Sequence, residues 1–134
     1  MGFLIDSNVV IDYLSGQITE AGMLFMNDII NDTPVISIMT KIEVLGFNNP
    51  FEIELLFNEF IEDSLIIDLN DSIVKTTIEI RKRIKIKTPD AIIAATAIAL
   101  DYPLITRNTN DFKKNRQAKS YKSLVDIITP SSTF

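Results

Sequence analysis

Four carboxylates occupy positions from which they could act together. Asp6 follows the apolar run Phe3-Leu4-Ile5, and Glu43 comes a helical turn after the run Pro34-Val35-Ile36-Ser37-Ile38. Asp90 sits in Thr88-Pro89-Asp90, at the head of an apolar segment; Asp111 follows Leu104-Ile105-Thr106, with Asn108 one turn ahead of it. Each also has an ordinary use. Asp6 can cap the next helix, and Thr40-x-x-Glu43 fits a capping box. In Thr88-Pro89-Asp90, threonine suits an N-cap, proline N1 and the acid N2, while Asn108-x-x-Asp111 could be another capped turn. Brought to one edge, the same acids would repel and raise one another's pKa unless a cation neutralised them. Hard oxygen donors of this kind suit Mg2+ or Mn2+. Such an ion lowers the pKa of bound water and stabilises in-line displacement at phosphorus, with no imidazole required.

The missing residue types narrow the chemistry in the same direction. The 134 residues include no cysteine, no histidine and no tryptophan. A disulfide framework, a thiolate nucleophile and Cys/His zinc sites are excluded. So are a Ser-His-Asp triad and an imidazole acid–base pair. Carboxylates, lysine, tyrosine, hydroxyls or a bound metal must do any catalysis.

The elements that would position these acids alternate between strand and helix. Short apolar runs at 3–5, 34–38, 65–67, 104–106 and 125–128 read as buried strands. Between them, helical spacing is expected over 9–14, 19–30, 40–47, 51–62, 71–84 and from Thr88 to about Asp101. The candidate apolar positions are Met23, Leu24, Met26, Ile29 and Ile30 in the second helix, and Leu55, Leu56, Phe57, Phe60 and Ile61 in the fourth. In the fifth they are Ile73, Val74, Thr77, Ile78 and Ile80. Strands apolar on both faces, with no Asn-Gly hairpin between them, predict an α/β fold. The expectation is one domain over 1–134, an open parallel sheet of about five strands with helices on both faces. In such sheets ligands bind beyond the carboxyl ends of the strands. Asp6, Glu43 and Asp111 would lie at that edge, and Asp90 could reach it from a helix start. The stretch from Ala91 to Leu100 is too short to span a bilayer, and the first residues lack a basic signal region, so a cytoplasmic protein with no membrane partner is expected.

At these residues the chain resembles a known family. Leu4-Ile5-Asp6-Ser7-Asn8-Val9-Val10-Ile11 resembles the opening strand and loop of PIN-domain ribonucleases. The segment from Ile36 to Phe47 is similar to their second motif, Thr88-Pro89-Asp90-Ala91-Ile92-Ile93-Ala94-Ala95-Thr96-Ala97 to the third, and Leu104-Ile105-Thr106-Arg107-Asn108-Thr109-Asn110-Asp111-Phe112 to the fourth. The motifs occur in order over nearly the whole chain, and the nearest resemblance is to VapC-type toxins of bacterial toxin–antitoxin pairs. The resemblance implies an endoribonuclease that uses Mg2+ or Mn2+. Asp6, Glu43 and Asp90 match its regular acidic positions. The fourth position falls to Asn108 or Asp111, and Ser7 and Thr106 would be polar supports. It also implies an antitoxin partner and, in many members, a homodimer. The apolar helix at 51–61 is a candidate partner surface or plain core.

Net charge is −5, which on its face disfavours a nucleic-acid ligand. Its distribution does not. Residues 1–74 carry −12 and residues 75–134 carry +7. Ten basic residues form two clusters: Arg81, Lys82, Arg83, Lys85 and Lys87, then Lys113, Lys114, Arg116, Lys119 and Lys122. With Arg107 these are candidates for RNA phosphate contacts, against the plainer reading of solvated surface. Two other classes remain open. One is a non-catalytic PIN-like module that binds protein, and the other is a housekeeping nuclease without an antitoxin. A phospho-receiver domain fits less well, because no acidic pair flanks Asp6 and residues 125–134 contain no lysine.

Overall fold

The computed structural model describes residues 2–107 and the strand Ile127–Ile128. The elements are β1 (Leu4–Ile5), α1 (Ser7–Leu14), α2 (Glu20–Asn31), β2 (Val35–Ser37), α3 (Ile38–Leu45), α4 (Phe51–Glu62), β3 (Leu65–Ile67), α5 (Asp71–Arg83), α6 (Thr88–Leu100), β4 (Leu104–Ile105) and β5 (Ile127–Ile128). All five strands are parallel, in the order β3-β2-β1-β4-β5. The expected α/β architecture is present; β1, β2 and β4 are shorter than the apolar runs suggested, and β3 matches its run.

Strand alternation divides the core. Leu4, Val35 and Leu104 face a layer built from Ile73 and Ile80 of α5 and Ala91, Ile93, Ala94, Ala95 and Ala97 of α6. Ile5, Ile36 and Ile105, one residue on, face Val9 and Val10 of α1, Met26 of α2, Val44 of α3 and Phe57, Phe60 and Ile61 of α4. This period of two places helices on both faces and leaves the central strands fully covered. Helix α6 is apolar all round and buried from Ala91 to Ala97, as a helix packed against α5, α3 and β2 requires.

Three expectations change. Helix α3 begins at Ile38, capped by Ser37, whose hydroxyl accepts from Met39 N at 3.1 Å. The Thr40-x-x-Glu43 capping box is therefore not formed, and Thr40 is buried inside the helix. Helix α6 begins at Thr88 with Lys87 at its N-cap position, so threonine does not cap it and Asp90 is its third residue. Finally, only part of each wide apolar face is covered. Leu24, Leu55, Leu56, Val74 and Ile78 are exposed, because the sheet and neighbouring helices reach a narrower stripe than the periodicity outlines.

Candidate active site

A repeated pattern of two apolar residues and one polar residue builds the site. Leu4-Ile5-Asp6, Val35-Ile36-Ser37 and Leu104-Ile105-Thr106 are the central strands with the residues at their carboxyl ends. Leu4 pairs with both Val35 and Leu104, so the parallel register sets Asp6, Ser37 and Thr106 side by side. A backbone hydrogen bond of 2.9 Å from Asp6 N to Ile105 O ties the first and third together. All three polar residues are buried.

Asp6 is the centre of this row. It caps α1, its Oδ1 accepting from Ser7 N at 2.7 Å, while its Oδ2 accepts from Thr106 Oγ1 at 2.6 Å. Burial pushes the Asp6 carboxyl above its ordinary value of 3.8, and the nearby charge of Glu43 pushes the same way. The hydrogen bonds from Thr106 and Ser7 and the positive charge of Arg107 oppose the rise without cancelling it. Glu43 comes in from α3, where its Oε1 accepts from Ser7 Oγ at 2.7 Å. Ser7 Oγ also lies 3.1 Å from Thr40 Oγ1, so the hydroxyls of Ser7 and Thr40 join the two carboxylate-bearing elements. That role accounts for Thr40 being buried rather than capping.

Two more charges frame the row. Asp12 of α1 is buried, and its Oδ2 pairs with Arg107 Nη1 at 2.9 Å. Asp12, Ser37 and Thr40 do not appear among the candidates taken from sequence. The legible signal for Asp12 was a single acid within the apolar stretch Val9-Val10-Ile11-Asp12-Tyr13-Leu14. Asp90 is half-buried in the first turn of α6, the helix that packs on α3 and β2. Among the described residues, Asp6, Glu43 and Asp90 do not close into a three-carboxylate ion cage. The structure thus joins Asp6, Ser7, Glu43 and Thr106 and sets Asp90 on the adjoining helix. Asn108, Asp111, Lys113, Lys114, Arg116, Lys119 and Lys122 lie outside the described residues.

The donor set fits a hard divalent cation in kind. It consists of carboxylate and hydroxyl oxygens, and each Asp6 oxygen spends one lone pair on an internal donor and keeps another. Burial shifts an uncompensated carboxylate towards its neutral form, and a nearby cation would oppose that shift. Arg81, Lys82, Arg83, Lys85 and Lys87 are all exposed. They run from the last turn of α5, where they complement the helix dipole, to the N-cap of α6, three residues before Asp90. Among the described residues no helix is long and apolar enough to cross a membrane.

Comparison with known proteins bears on the family and the fold. The PIN domain family model matches residues 3–117. The chain is 29% identical over 121 residues to the Ribonuclease VapC of Rickettsia bellii (strain RML369-C), a match spanning 85% of this chain and 90% of that protein. A chain in a toxin–antitoxin complex from Klebsiella pneumoniae superposes with a TM-score of 0.75 at 26% identity, covering 98% of this chain and all of that one (100%). A chain of VapBC2 from Rickettsia felis, bound to a DNA fragment from their promoter, has a TM-score of 0.72 at 18% identity over 96% and 98% of the two chains. At that identity the likeness is one of fold.

Proposed function

The chain belongs to the PIN-domain family, and from that premise we propose that it is a metal-dependent endoribonuclease and the toxin of a toxin–antitoxin pair. The observation that carries the reading is the buried Asp6 carboxylate at the end of the central strand, linked through Ser7 to Glu43. Likeness to a ribonuclease VapC and to a chain from a toxin–antitoxin complex supports the substrate class and the antitoxin partner.

Asp6, Glu43 and Asp90 would hold Mg2+ or Mn2+, with Asn108 or Asp111 as the fourth site residue. When bound, the ion supplies positive charge for the scissile phosphate and acidifies the water that attacks it. The chain's own residues prepare the site. Thr106 and the Ser7 backbone fix the Asp6 carboxylate in one orientation, and the Ser7 hydroxyl does the same for Glu43. Closely packed apolar residues beneath the row, Ile5, Ile36 and Ile105, keep water from entering behind it. No histidine is available to activate a 2′-hydroxyl, so attack by external water is expected, leaving a 5′-phosphate and a 3′-hydroxyl.

The test is RNA cleavage with end analysis by wild type, Asp6→Asn and Asp90→Asn, all checked for folding. Expected are 5′-phosphate products from wild type, abolished by EDTA, and a loss on the order of 100-fold or more in either variant. Full activity in EDTA, or 2′,3′-cyclic phosphate ends, would overturn the mechanism. The competing reading is a non-catalytic PIN-like module that binds protein. That reading wins if purified protein cleaves no RNA under any divalent ion yet retains a protein partner. Growth arrest on expression, relieved by a co-expressed neighbouring gene product, would separate a toxin from a housekeeping nuclease.

A further inference from the structure

Arg107 and Asp12 form a unit that neither capping nor the acidic row explains. Arg107 lies two residues beyond β4, next to Thr106, and its side chain is 59% exposed, whereas that of Asp12 is 13% exposed. The pair joins Arg107 Nη1 to Asp12 Oδ2 at 2.9 Å, and the guanidinium is close enough to Asp6 for its charge to be felt there. A guanidinium has five N–H donors in a rigid fork, and Asp12 engages one nitrogen. The others are not engaged by Asp12, and the guanidinium lies near enough to the Asp6 carboxyl to act on it, beside the acids Asp6 and Glu43. Any phosphodiester approaching Asp6 and Glu43 meets that repulsion first. A cation fixed beside the acids and aimed by a buried carboxylate would offset it.

We propose that Arg107, held in place by Asp12, binds a backbone phosphate of single-stranded RNA at the entrance to the acidic site, with Asp12 as the positioning residue. This rests on the ribonuclease reading. A purely structural alternative is that Arg107 serves only to neutralise the buried Asp12.

Fluorescence anisotropy with a labelled single-stranded RNA of about twelve nucleotides, in EDTA and across a salt series, tests the assignment. Arg107→Gln is expected to weaken binding roughly 3–10-fold and to flatten the log–log salt slope by about 0.7, the share of one phosphate contact on a single strand. Arg107→Lys keeps the charge but loses the fork, so it should retain the salt slope with part of the affinity. Asp12→Asn is the sharpest arm. Removing an acid should tighten RNA binding by simple electrostatics, but loss of positioning should weaken it, and the weakening should vanish in the Arg107→Gln background. Tighter binding by Asp12→Asn, independent losses in the double variant, or Arg107→Gln binding as wild type would each overturn the assignment. Absence of RNA binding by wild type in EDTA would likewise overturn the assignment, whereas the ribonuclease reading stands or falls by the cleavage assay with divalent ions.

Discussion

Asp6 is a carboxylate whose folded surroundings favour its neutral form, and this gives stability a definite sign against pH. Its folded pKa lies above the ordinary 3.8, so the proton is held more tightly in the folded state than in the unfolded one. The stabilisation from that proton is fully present below the unfolded value and is lost as pH rises through the folded one. Without divalent ions, Asp6→Asn should therefore raise the melting temperature at neutral pH. The gain should shrink as pH falls towards 3.8, as thermal denaturation across a pH series would reveal. A variant less stable than wild type at every pH would contradict the burial argument. Ser7 makes a second residue-scale prediction. Its hydroxyl donates to Glu43, so Ser7→Ala should reduce cleavage roughly tenfold while leaving the Asp6 cap intact, because that bond uses the backbone N–H. The position of Asp6 at a strand end was legible from three apolar letters before a carboxylate. Asp12 stands out as a lone acid in an apolar stretch, but its partner was not legible, because an ion pair between α1 and the segment after β4 joins residues 95 positions apart.

Helix starts show why element boundaries were harder to read than the elements. Thr40 and Ser37 are both capping residue types three positions apart, and local sequence favoured the one with Glu43 three residues later. The structure caps α3 with Ser37 because β2 runs directly into the helix, which turns Glu43 towards Ser7 instead of back to the helix N-terminus. Ser37→Ala should accordingly cost about 1 kcal/mol in chemical denaturation, in line with the loss of an N-cap. At the other end of the core helix, Asp101 ends α6 in the left-handed region at φ 54°. Glycine adopts that conformation without a Cβ clash, and an acid is unfavourable at a helix C-terminus. Asp101→Gly is therefore expected to stabilise the fold by about 0.5–1 kcal/mol, measured in the same denaturation experiment.

Across the whole molecule, the alternation of apolar runs and helical spacing predicted a parallel α/β sheet, because both depend on local periodicity. Periodicity could not say how much of each apolar face would be covered, since that depends on which neighbours arrive. Leu55 and Leu56 stay exposed on α4 for this reason, next to the buried Phe57. Charge follows a similar logic. The net value of −5 averages an acidic amino-terminal part, which supplies Asp6 and Glu43, with a basic carboxyl-terminal part whose exposed stretch ends beside Asp90. RNA affinity should therefore fall steeply with salt despite the negative total. Replacing Arg81, Lys82 and Arg83 together with glutamine should flatten the log–log salt slope by about 1–2, and an unchanged slope would remove that stretch from the interface.

Asp6, Glu43 and Asp90 are proposed to act as ligands for a divalent ion, and calorimetric titration with Mn2+ tests this most directly because it needs no knowledge of the RNA target. Wild type should show saturable binding that Asp6→Asn abolishes, with proton release that grows as pH is lowered through the range in which the Asp6 carboxyl is protonated. Equal Mn2+ binding by wild type and Asp6→Asn, or none by either, would contradict the account.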